Sequence, residues 1–367
     1  MERIVLGYSG GLETSIAIPW LAERLGVEVI TVTLDLGQGR DLADIRERAL
    51  SGGALRAHVL DVRDEFARDY ILPALQAGAM EKDGQRLAAA LARPLIVRKL
   101  IEIARMERAT AIAHCCEPDS EDELRFERLA QTLDSSVGLI AVLRESRMSP
   151  SERIAFAKER GIFVSPPNGE TVADANLWGR SVEIDADQHP DNQGRDELYV
   201  LTRAPQVCPD EPAYLDVEIE DGVPVRVNGI EMPLVELIES VETIAGAHGV
   251  GRHQNDRHIH EGPAGVVLQM AHRALEKAAI PADLDRLKQK LSREYAGLVH
   301  KGLWFTPTRD AIAAFAGVTE RSVTGSVRLE LFKGRCRTVG YVIKSSTLAS
   351  VNRSAAPVGA TLSSEDR

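Results

Sequence analysis

The stretch Ile4-Val5-Leu6-Gly7-Tyr8-Ser9-Gly10-Gly11-Leu12-Glu13-Thr14-Ser15 decides the fold near the start of the chain. Its apolar first part predicts a β-strand, and the run Ile16-Ala17-Ile18-Pro19-Trp20-Leu21 predicts an amphipathic helix. The small residues between them form a turn at a helix N-terminus, where unpaired amide groups and the helix dipole attract anions. Gly10 and Gly11 allow close approach of the backbone to a ligand. Phosphate is the expected ligand of this loop.

The motif in this loop differs from the two commonest phosphate-binding loops. No Gly-Lys-Ser/Thr follows it, as in a Walker loop, and no Gly-x-Gly-x-x-Gly of the dinucleotide-binding kind is present. The string Ser-Gly-Gly-x-acid-Ser/Thr-Ser resembles the PP-loop of ATP pyrophosphatases, which split ATP into AMP and pyrophosphate. A plain strand-to-helix turn is the alternative for so short a motif. Its position after a strand and before a helix favours the ATP-binding interpretation.

The composition is that of a globular protein with room for two hydrophobic cores. The chain has 367 residues, of which 44% are hydrophobic and 27% are charged. The formal net charge of -11 argues against extended binding to nucleic acid or to anionic membranes, which needs concentrated Lys and Arg. We see no signal-peptide pattern and no run of roughly 18 apolar residues that would span a membrane. The four cysteines show neither metal-ligand nor disulfide spacing, so we expect a reducing, cytoplasmic environment.

Strands and helices alternate through the first half of the chain. After the first strand, further strands are predicted at 27–34, 57–62, 110–114 and 137–143. This alternation predicts an α/β fold in which helices cover both faces of a parallel sheet. Ligands of such sheets bind at the carboxyl ends of the strands, where the turns at 8–15, 35–39 and 114–123 fall.

The second half has a different character, which predicts a second domain. A Pro/Gly/Asn-rich linker at 164–169 precedes it. Two antiparallel hairpins are predicted at 214–229 and 322–343, with four helices between them at 233–246, 263–279, 281–300 and 308–315. The expected division is a nucleotide-binding domain at 1–165, a substrate and oligomerisation domain at 166–344, and a mobile tail at 345–367.

Seven strings spread along the chain carry a resemblance to a known family. They are V-L-G-Y-S-G-G-L-E-T-S, D-L-G-Q-G, L-A-R-P-L-I, A-N-L-W-G-R-S, H-G-V-G-R, Y-A-G-L-V-H-K-G-L-W-F-T-P and V-T-G-S-V-R-L-E-L-F-K-G. In order and spacing, from about residue 3 to 340, they resemble argininosuccinate synthase. The resemblance implies an adenine-nucleotide α-hydrolase-like (HUP) domain, a second α+β synthetase domain, and a homo-oligomer that is a dimer or a tetramer.

The resemblance also implies a two-step ligation that uses ATP and Mg²⁺. ATP adenylylates the ureido oxygen of citrulline and releases pyrophosphate, and the amine of aspartate then displaces AMP. Ser9, Glu13 and Asp122 are the implied catalytic residues, and Ser9 and Glu13 also contact the nucleotide. The other implied nucleotide-binding residues are Gly7, Tyr8, Gly10, Gly11, Leu12, Thr14, Ser15, Leu34, His114 and Cys115.

The substrate side departs from the family pattern. The loop that reads close to H-G-C-T-G-K-G-N-D-Q-V-R-F-E in the family is H-C-C-E-P-D-S-E-D-E-L-R-F-E at 114–127. A substrate carboxylate would meet Glu117 and Glu121, and each pair costs about 1 kcal/mol in water at about 4 Å. Aspartate is therefore not expected as the nucleophile. The implied substrate-binding residues are Arg93, Glu117, Glu121, Asp122, Arg125, Ser181 and His260.

Departures on the acceptor side point the same way. Gln85 replaces a tyrosine, Val172 replaces a serine, and the segment at 253–260 is shorter than in the family. The main expectation is an AMP- and pyrophosphate-forming ligase that joins an amine to a ureido, amide or carboxyl acceptor, with substrates other than citrulline plus aspartate. The alternatives are a genuine argininosuccinate synthase, and a catalytically silent nucleotide-binding or partner protein. Small amino-acid-like molecules are the expected substrates, and neither nucleic acid nor membrane is an expected partner.

Three smaller features have competing interpretations. The acidic run at 117–123 is either a solvated loop or a site for an amine-bearing substrate or additional Mg²⁺. Histidines at 253, 258 and 260 lack a known metal-ligand spacing, so a pocket-lining or exposed cluster is expected and no metal ligands are assigned. Cys115 and Cys208 loosely fit the spacing of PP-loop enzymes that thiolate tRNA, but the acidic charge argues against that function.

Overall fold

A computed structural model describes residues 2–39, 41–79, 81–82, 85–162, 173–183, 195–254 and 258–344. The expected linker at 164–169, the domain boundary at 165 and the tail at 345–367 lie outside the described residues, and so does Val172. No described helix is both long enough and apolar enough to cross a membrane.

The first half of the chain alternates strands and helices as the hydrophobic pattern predicts. A π-helical turn, Ala67–Ile71, connects the third and fourth helices. In chain order the elements are β1 (Arg3–Gly7), α1 (Leu12–Leu25), β2 (Glu28–Asp35), α2 (Leu42–Ser51), β3 (Arg56–Asp61), α3 (Arg63–Phe66), α4 (Leu72–Gln76), β4 (Glu81–Lys82), β5 (Gln85–Arg86), α5 (Ala88–Glu107), β6 (Ala111–His114), α6 (Glu121–Leu133), β7 (Gly138–Ala141), α7 (Val142–Ser146) and α8 (Pro150–Glu159).

Five of these strands form a parallel sheet in the order β3-β2-β1-β6-β7. Successive residues of β1 point to opposite faces, so Ile4 and Leu6 join one core with α1 and α2, while Val5 joins the other core with α5. Both faces are covered, which explains the nearly continuous apolar runs of β1 and β2. The fifth strand is shorter than predicted, because Val142 and Leu143 begin α7 and are buried there.

The second half contains antiparallel strands and long helices. Its elements are β8 (Ala173–Asn176), β9 (Gly179–Glu183), β10 (Ala213–Glu220), β11 (Val223–Val227), β12 (Ile230–Glu231), α9 (Leu234–Ala247), β13 (Arg252–Gln254), β14 (His258–Glu261), α10 (Pro263–Ala279), α11 (Ala282–His300), α12 (Pro307–Glu320), β15 (Gly325–Phe332) and β16 (Arg335–Ile343).

The two predicted hairpins belong to one antiparallel sheet with the order β12-β11-β10-β15-β16. Alternate residues of β10, namely Leu215, Val217 and Ile219, are fully buried in the core that α9 to α12 share. The sequence did not predict the second sheet of this half, with the order β13-β14-β9-β8. Its strands have only three to five residues and are rich in polar side chains, so hydrophobic alternation is too weak to reveal them.

Candidate active site

The loop after β1 forms an open helix N-terminus. Gly11 is the N-cap of α1, and no side chain caps the first turn, so its amide groups remain available to an anion. Gly10 has a φ of 77°, and a Cβ at this position would lie 3.0 Å from the Cγ1 of Ile45. Only glycine suits this backbone and this space.

Hydrogen bonds hold the loop in shape without a ligand. The hydroxyls of Tyr8 and Ser15 lie 3.0 Å apart, and those of Ser9 and Thr14 lie 3.2 Å apart. The Gly11 amide donates to the Ser9 hydroxyl at 3.3 Å. These contacts preorganise the hydroxyl and amide donors at residues 9–15, as an anion site requires.

Leu34 and Gly7 support the loop from the sheet. Gly7 is the last residue of β1, and Leu34 lies near the carboxyl end of β2 with its side chain in the core. The side chain of Gln38 donates to the Leu34 carbonyl at 2.7 Å and fixes the turn after β2. Because the apolar side chain of Leu34 packs in the core, Leu34 offers a ligand no polar side-chain group.

The loop after β6 lies beside the first one, because β6 pairs with β1. In the strand order, the chain runs from β1 to one edge of the sheet and then crosses to β6 on the other side. Such a reversal leaves a crevice at the carboxyl ends of the two strands. The Cys115 thiol donates to the Glu13 carbonyl at 3.5 Å and joins the two loops directly.

His114 lies at the bottom of this crevice as a neutral imidazole. Burial lowers the pKa of His114 to about 4, and its Nδ1 accepts a hydrogen bond from the Cys116 amide at 3.2 Å. Nε2 therefore carries the proton, and no partner for it is found among the described residues. The ring packs on Phe126 with a centroid distance of 4.8 Å.

The two adjacent cysteines are not activated thiols. Burial raises the pKa of the Cys116 thiol to about 12 and raises that of Cys115 well above its usual value. A thiol that stays protonated is a poor nucleophile. This electrostatic setting argues against the tRNA-thiolation alternative.

Arg93 and Arg125 connect most of the expected substrate residues. Arg93 donates to the carboxylate of Asp122 at 2.7 Å and also to that of Asp174. Arg125 donates to Asp122 at 2.7 Å and to Glu121 at 2.8 Å. Burial alone would raise the pKa of Asp122, but the two guanidinium groups outweigh it and hold that pKa below its usual value.

The acidic loop would repel a substrate carboxylate less strongly than the sequence suggested. Both oxygens of Glu117 accept hydrogen bonds from Arg153, at 2.6 and 3.2 Å. Glu121 contacts Arg125 and lies 3.2 Å from the Nε2 of His300. Paired carboxylates repel a substrate carboxylate less than free ones do, so the electrostatic argument against aspartate is weaker than expected.

Ser181 and His260 lie in one row across the four-stranded sheet. Asp174 is directly opposite Ser181, Ser181 is opposite His260, and His260 is opposite His253. Residues that face each other across neighbouring strands share a face of the sheet. The contact of Asp174 with Arg93 brings this row to the edge of the crevice.

The three histidines at 253, 258 and 260 do not form a metal-ligand group. Within the part of the chain that the structure describes, the one group with suitable spacing is His272, Glu276 and Glu320, which is buried in the second half. The ammonium of Lys288 contacts both glutamates there. A cation already occupies that position, so these residues are explained without a metal.

Sequence reasoning missed several charged residues of the site. Asp174 directly precedes the family string A-N-L-W-G-R-S, which was a signal for it, whereas nothing in the local sequence singled out Arg153. The fully buried carboxylate of Glu123 accepts from the Asp119 amide at 2.6 Å and from Arg144 at 2.6 Å. The two hydrogen bonds of Glu123 therefore help to fix the loop that precedes α6.

Comparisons with known proteins cover almost the whole chain. Residues 3–163 match the family model described as the arginosuccinate synthase N-terminal HUP domain, and residues 172–358 match that of the arginosuccinate synthase C-terminal domain. The protein named argininosuccinate synthase from Streptococcus suis is 40% identical over 348 residues, which is 92% of this chain and 87% of the relative. The protein of that name from Dehalococcoides mccartyi is 43% identical over 350 residues, with 92% and 86% covered.

The solved structures provide a weaker comparison. NAD+ synthetase from Burkholderia pseudomallei aligns with a TM-score of 0.29 and 16% identity, and the match covers 46% of this chain and 61% of that one. Likeness at this level carries no argument about fold or function.

Proposed function

Since this chain belongs to the argininosuccinate synthase family of ATP-dependent C–N ligases, we propose that it adenylylates an acceptor with ATP and then joins that acceptor to an amine. The first substrate pair to consider is citrulline with aspartate, because the similar curated proteins are named argininosuccinate synthase. That name supports argininosuccinate synthesis better than it supports a changed substrate pair.

One observation carries the proposal. The phosphate-type loop at 8–11 and the loop at 115–120 follow adjacent strands at the reversal of strand order, and the Arg93–Asp122 pair lies at the start of the helix after the second loop. The loop of the proposed anion site and the charged residues of the proposed substrate site thus lie at the same edge of one sheet. This is the arrangement that a reaction between ATP and a second molecule needs.

The proposed reaction has two steps. The acceptor oxygen attacks the α-phosphorus of ATP, an O–P bond forms, and pyrophosphate leaves with the electron pair of the broken P–O bond. The amine nitrogen then attacks the activated carbon, a C–N bond forms, the C–O bond to the former acceptor oxygen breaks, AMP leaves with that oxygen and its electron pair, and the amine proton passes to solvent. The loop amides and the hydroxyls of Ser9 and Thr14 would stabilise charge on the phosphates.

Asp122 suits a binding role better than proton abstraction. Its lowered pKa keeps the carboxylate ionised at neutral pH, and a general base works best with a pKa near the operating pH. We assign Asp122 to hold the amine-bearing substrate by charge. Arg93, Arg125, Glu117, Glu121, Ser181 and His260 complete the proposed substrate site.

Mg²⁺ fits the donor set of the nucleotide loop. The carboxylate of Glu13 lies beside Gly11 in the first turn of α1, and this ion prefers carboxylate, water and phosphate oxygens. When bound, Mg²⁺ would share the negative charge of the triphosphate. Glu13 is the residue that we propose to hold it.

A second candidate function is ligation with a nucleophile other than aspartate. It is favoured by the contact of Glu121 with Arg125 at 2.8 Å, because that internal carboxylate occupies a guanidinium that a substrate carboxylate could use. An amine without a second carboxylate would not compete for Arg125. A ureido, amide or carboxyl acceptor other than citrulline belongs to the same candidate.

One assay separates these candidates. Purified protein is incubated with ATP, MgCl2, citrulline and aspartate, pyrophosphate release is followed, and the product is identified by mass spectrometry. Argininosuccinate establishes the first candidate, whereas pyrophosphate release only with other acceptors or amines establishes the second. ATP binding without pyrophosphate release across a broad panel would leave a silent nucleotide-binding protein. Absence of ATP binding in calorimetry would refute both ligase functions.

Matched variants connect the activity to the loop. Ser9→Ala removes a proposed phosphate donor, and we expect it to slow pyrophosphate release about tenfold to a hundredfold. Ser136→Ala changes an exposed serine in a remote turn, and it should have wild-type activity. Equal activities would place the chemistry elsewhere.

The family membership also leads us to propose the domain organisation, the assembly and the cellular location of the protein. We propose a nucleotide-binding domain at 1–165 and a synthetase and oligomerisation domain at 166–344, followed by a tail at 345–367. A homo-oligomer in the cytoplasm is the proposed form, and size-exclusion chromatography with light scattering tests the assembly. A monomer at micromolar concentration would contradict it.

A further inference from the structure

We propose that Arg153 binds the phosphates of ATP and that Glu117 occupies its guanidinium when no nucleotide is present. The inference rests on the proposed function and extends it to a residue on α8, outside the phosphate loop and the family strings. Arg153 supplies a fixed cation to the nucleotide site, and Glu117 competes with the triphosphate for it.

The packing of two helices brings Arg153 to the phosphate end of the sheet. Near the carboxyl end of α8, Arg160 pairs with Glu23 at 2.9 Å, and Glu23 lies near the carboxyl end of α1. The N-terminal turns are also linked, because Arg153 of α8 bonds Glu117 in the loop whose Cys115 contacts the Glu13 carbonyl of α1, so the two helices run in the same direction. Arg153 is in the first turns of α8, as Glu13 is in the first turn of α1.

The ion pair with Glu117 places Arg153 against the second loop. Its guanidinium donates to both carboxylate oxygens of Glu117, at 2.6 and 3.2 Å. In the same loop, Cys115 contacts the Glu13 carbonyl at 3.5 Å. Arg153 thus contacts one of the two loops that line the proposed nucleotide site, and that loop contacts the other.

The guanidinium of Arg153 is held in place, whereas the side chain of Glu117 can rotate into solvent. Only 8% of the Arg153 side chain is exposed, and its Nε donates to the Met148 carbonyl at 3.2 Å. By contrast, 58% of the Glu117 side chain is exposed. Rotation of Glu117 into solvent therefore exposes a prepositioned cation without any movement of the backbone. A phosphate group is well matched to the planar donors of such a guanidinium.

The site needs a cation from outside the loop. Position 119, where the family pattern has a lysine, is an aspartate in this chain, and the phosphate loop itself contributes amides, hydroxyls and the carboxylate of Glu13. Arg48 also approaches the loop, but it donates to the Gly10 carbonyl at 2.8 Å and to Asp44 at 2.9 Å. A main-chain carbonyl does not swing away as an exposed side chain can. Arg153 is the better candidate for the missing charge.

The alternative is that the Arg153–Glu117 pair only braces the loop. The two interpretations make the same prediction for removal of Arg153 and opposite predictions for neutralisation of Glu117. If the pair is a brace, removal of either partner loosens the same loop, and both variants weaken ATP binding. If Arg153 is a ligand and Glu117 a competitor, removal of Arg153 weakens ATP binding and neutralisation of Glu117 strengthens it.

The test is calorimetric titration of the full-length protein with ATP and MgCl2 at fixed ionic strength. Arg153→Met should raise the Kd for ATP about tenfold to a hundredfold, as expected for loss of a charge-assisted hydrogen bond. Glu117→Gln should lower that Kd about twofold to fivefold, since an ion pair no longer competes. Lys158→Met, which removes an exposed positive charge from the same helix, should leave the Kd unchanged.

The outcomes separate this inference from the proposed function. If wild type binds no ATP, both fail. If wild type binds ATP and Arg153→Met has the same Kd, or Glu117→Gln weakens binding, the inference fails alone and the ligase function stands. Because Glu117 is exposed, Glu117→Gln folds independently of the outcome for Arg153→Met, and the direction of its effect is decisive by itself. Thermal unfolding of each variant verifies the fold.

Discussion

The guanidinium of Arg93 lies 2.7 Å from the carboxylate of Asp122 and also contacts that of Asp174. Arg93 is on α5, Asp122 is on α6 and Asp174 is on β8. One side chain therefore ties the parallel sheet to the four-stranded sheet of the second half. It also helps to lower the pKa of the Asp122 carboxyl at the edge of the crevice.

Replacing Arg93 should damage both stability and ligation. Arg93→Met leaves Asp174 without its arginine partner and Asp122 with Arg125 alone, and we expect the free energy of unfolding to fall by about 2 to 4 kcal/mol. Ligation should slow by more than about a hundredfold, since Asp122 loses its position. Urea unfolding and the pyrophosphate assay measure the two effects. Arg105→Met, at an exposed position of the same helix, should cost no more than about 1 kcal/mol.

Gly10 should be indispensable to the phosphate loop. Gly10→Ala forces a side chain into a left-handed conformation and against Ile45, at a cost of about 1 to 3 kcal/mol. Because relief of that strain must move the loop, we expect ATP affinity to fall at least about tenfold, as calorimetry would record. Gly297→Ala is the control, since open space surrounds this position of α11. Unchanged ATP affinity in Gly10→Ala would exclude this loop as the phosphate site.

His114 should make the protein sensitive to mild acid. Its pKa is about 4 when folded and 6.5 as the reference value. Between these values the unfolded chain takes up a proton that the folded chain does not. The contribution of His114 is therefore complete above about pH 6.5 and is lost as the pH falls towards 4, by about 3 kcal/mol.

The variant His114→Gln isolates this effect from that of the carboxylates. The difference in unfolding free energy between wild type and variant should narrow by about 2 to 3 kcal/mol from pH 7 to pH 4. Urea unfolding at half-unit pH steps gives the curve. A curve for His114→Gln that runs parallel to the wild-type curve would mean that the pKa of His114 is not lowered.

Lys288 should be essential for the core of the second half. It is buried between Glu276 and Glu320, and His272 contacts Glu320 at 2.7 Å. Lys288→Met removes the ammonium that both buried glutamates contact and leaves Glu320 with His272 and Glu276 with Arg273, so the free energy of unfolding should fall by about 3 to 5 kcal/mol. Lys290→Met, on the exposed side of α11, should change it by less than about 0.5 kcal/mol. If Lys288→Met is as stable as wild type, the cluster is not held by this ion pair.

Much of the first half could be predicted from the sequence because its signals are local. The apolar run at 4–7, the small residues at 8–11 and the helix after them are contiguous, and the structure places the strand, turn and helix there. The α/β class followed from the alternation of such segments and is confirmed. The helices α9 to α11 were predicted within a few residues, whereas α12 extends to Glu320 instead of ending near 315.

The sequence by itself determined the α/β class, the position of the turn between β1 and α1, and the family, since each depends on residues close together or on strings in fixed order. Tertiary structure alone decided which charges meet. Glu117 pairs with Arg153 from 36 positions away, and Arg93 meets Asp174 from 81 positions away. From the sequence alone, the acidic loop at 117–123 was expected to repel a substrate carboxylate. Coulomb energy depends on distance in space, and the folded chain brings arginines to these carboxylates that their order in the sequence did not disclose.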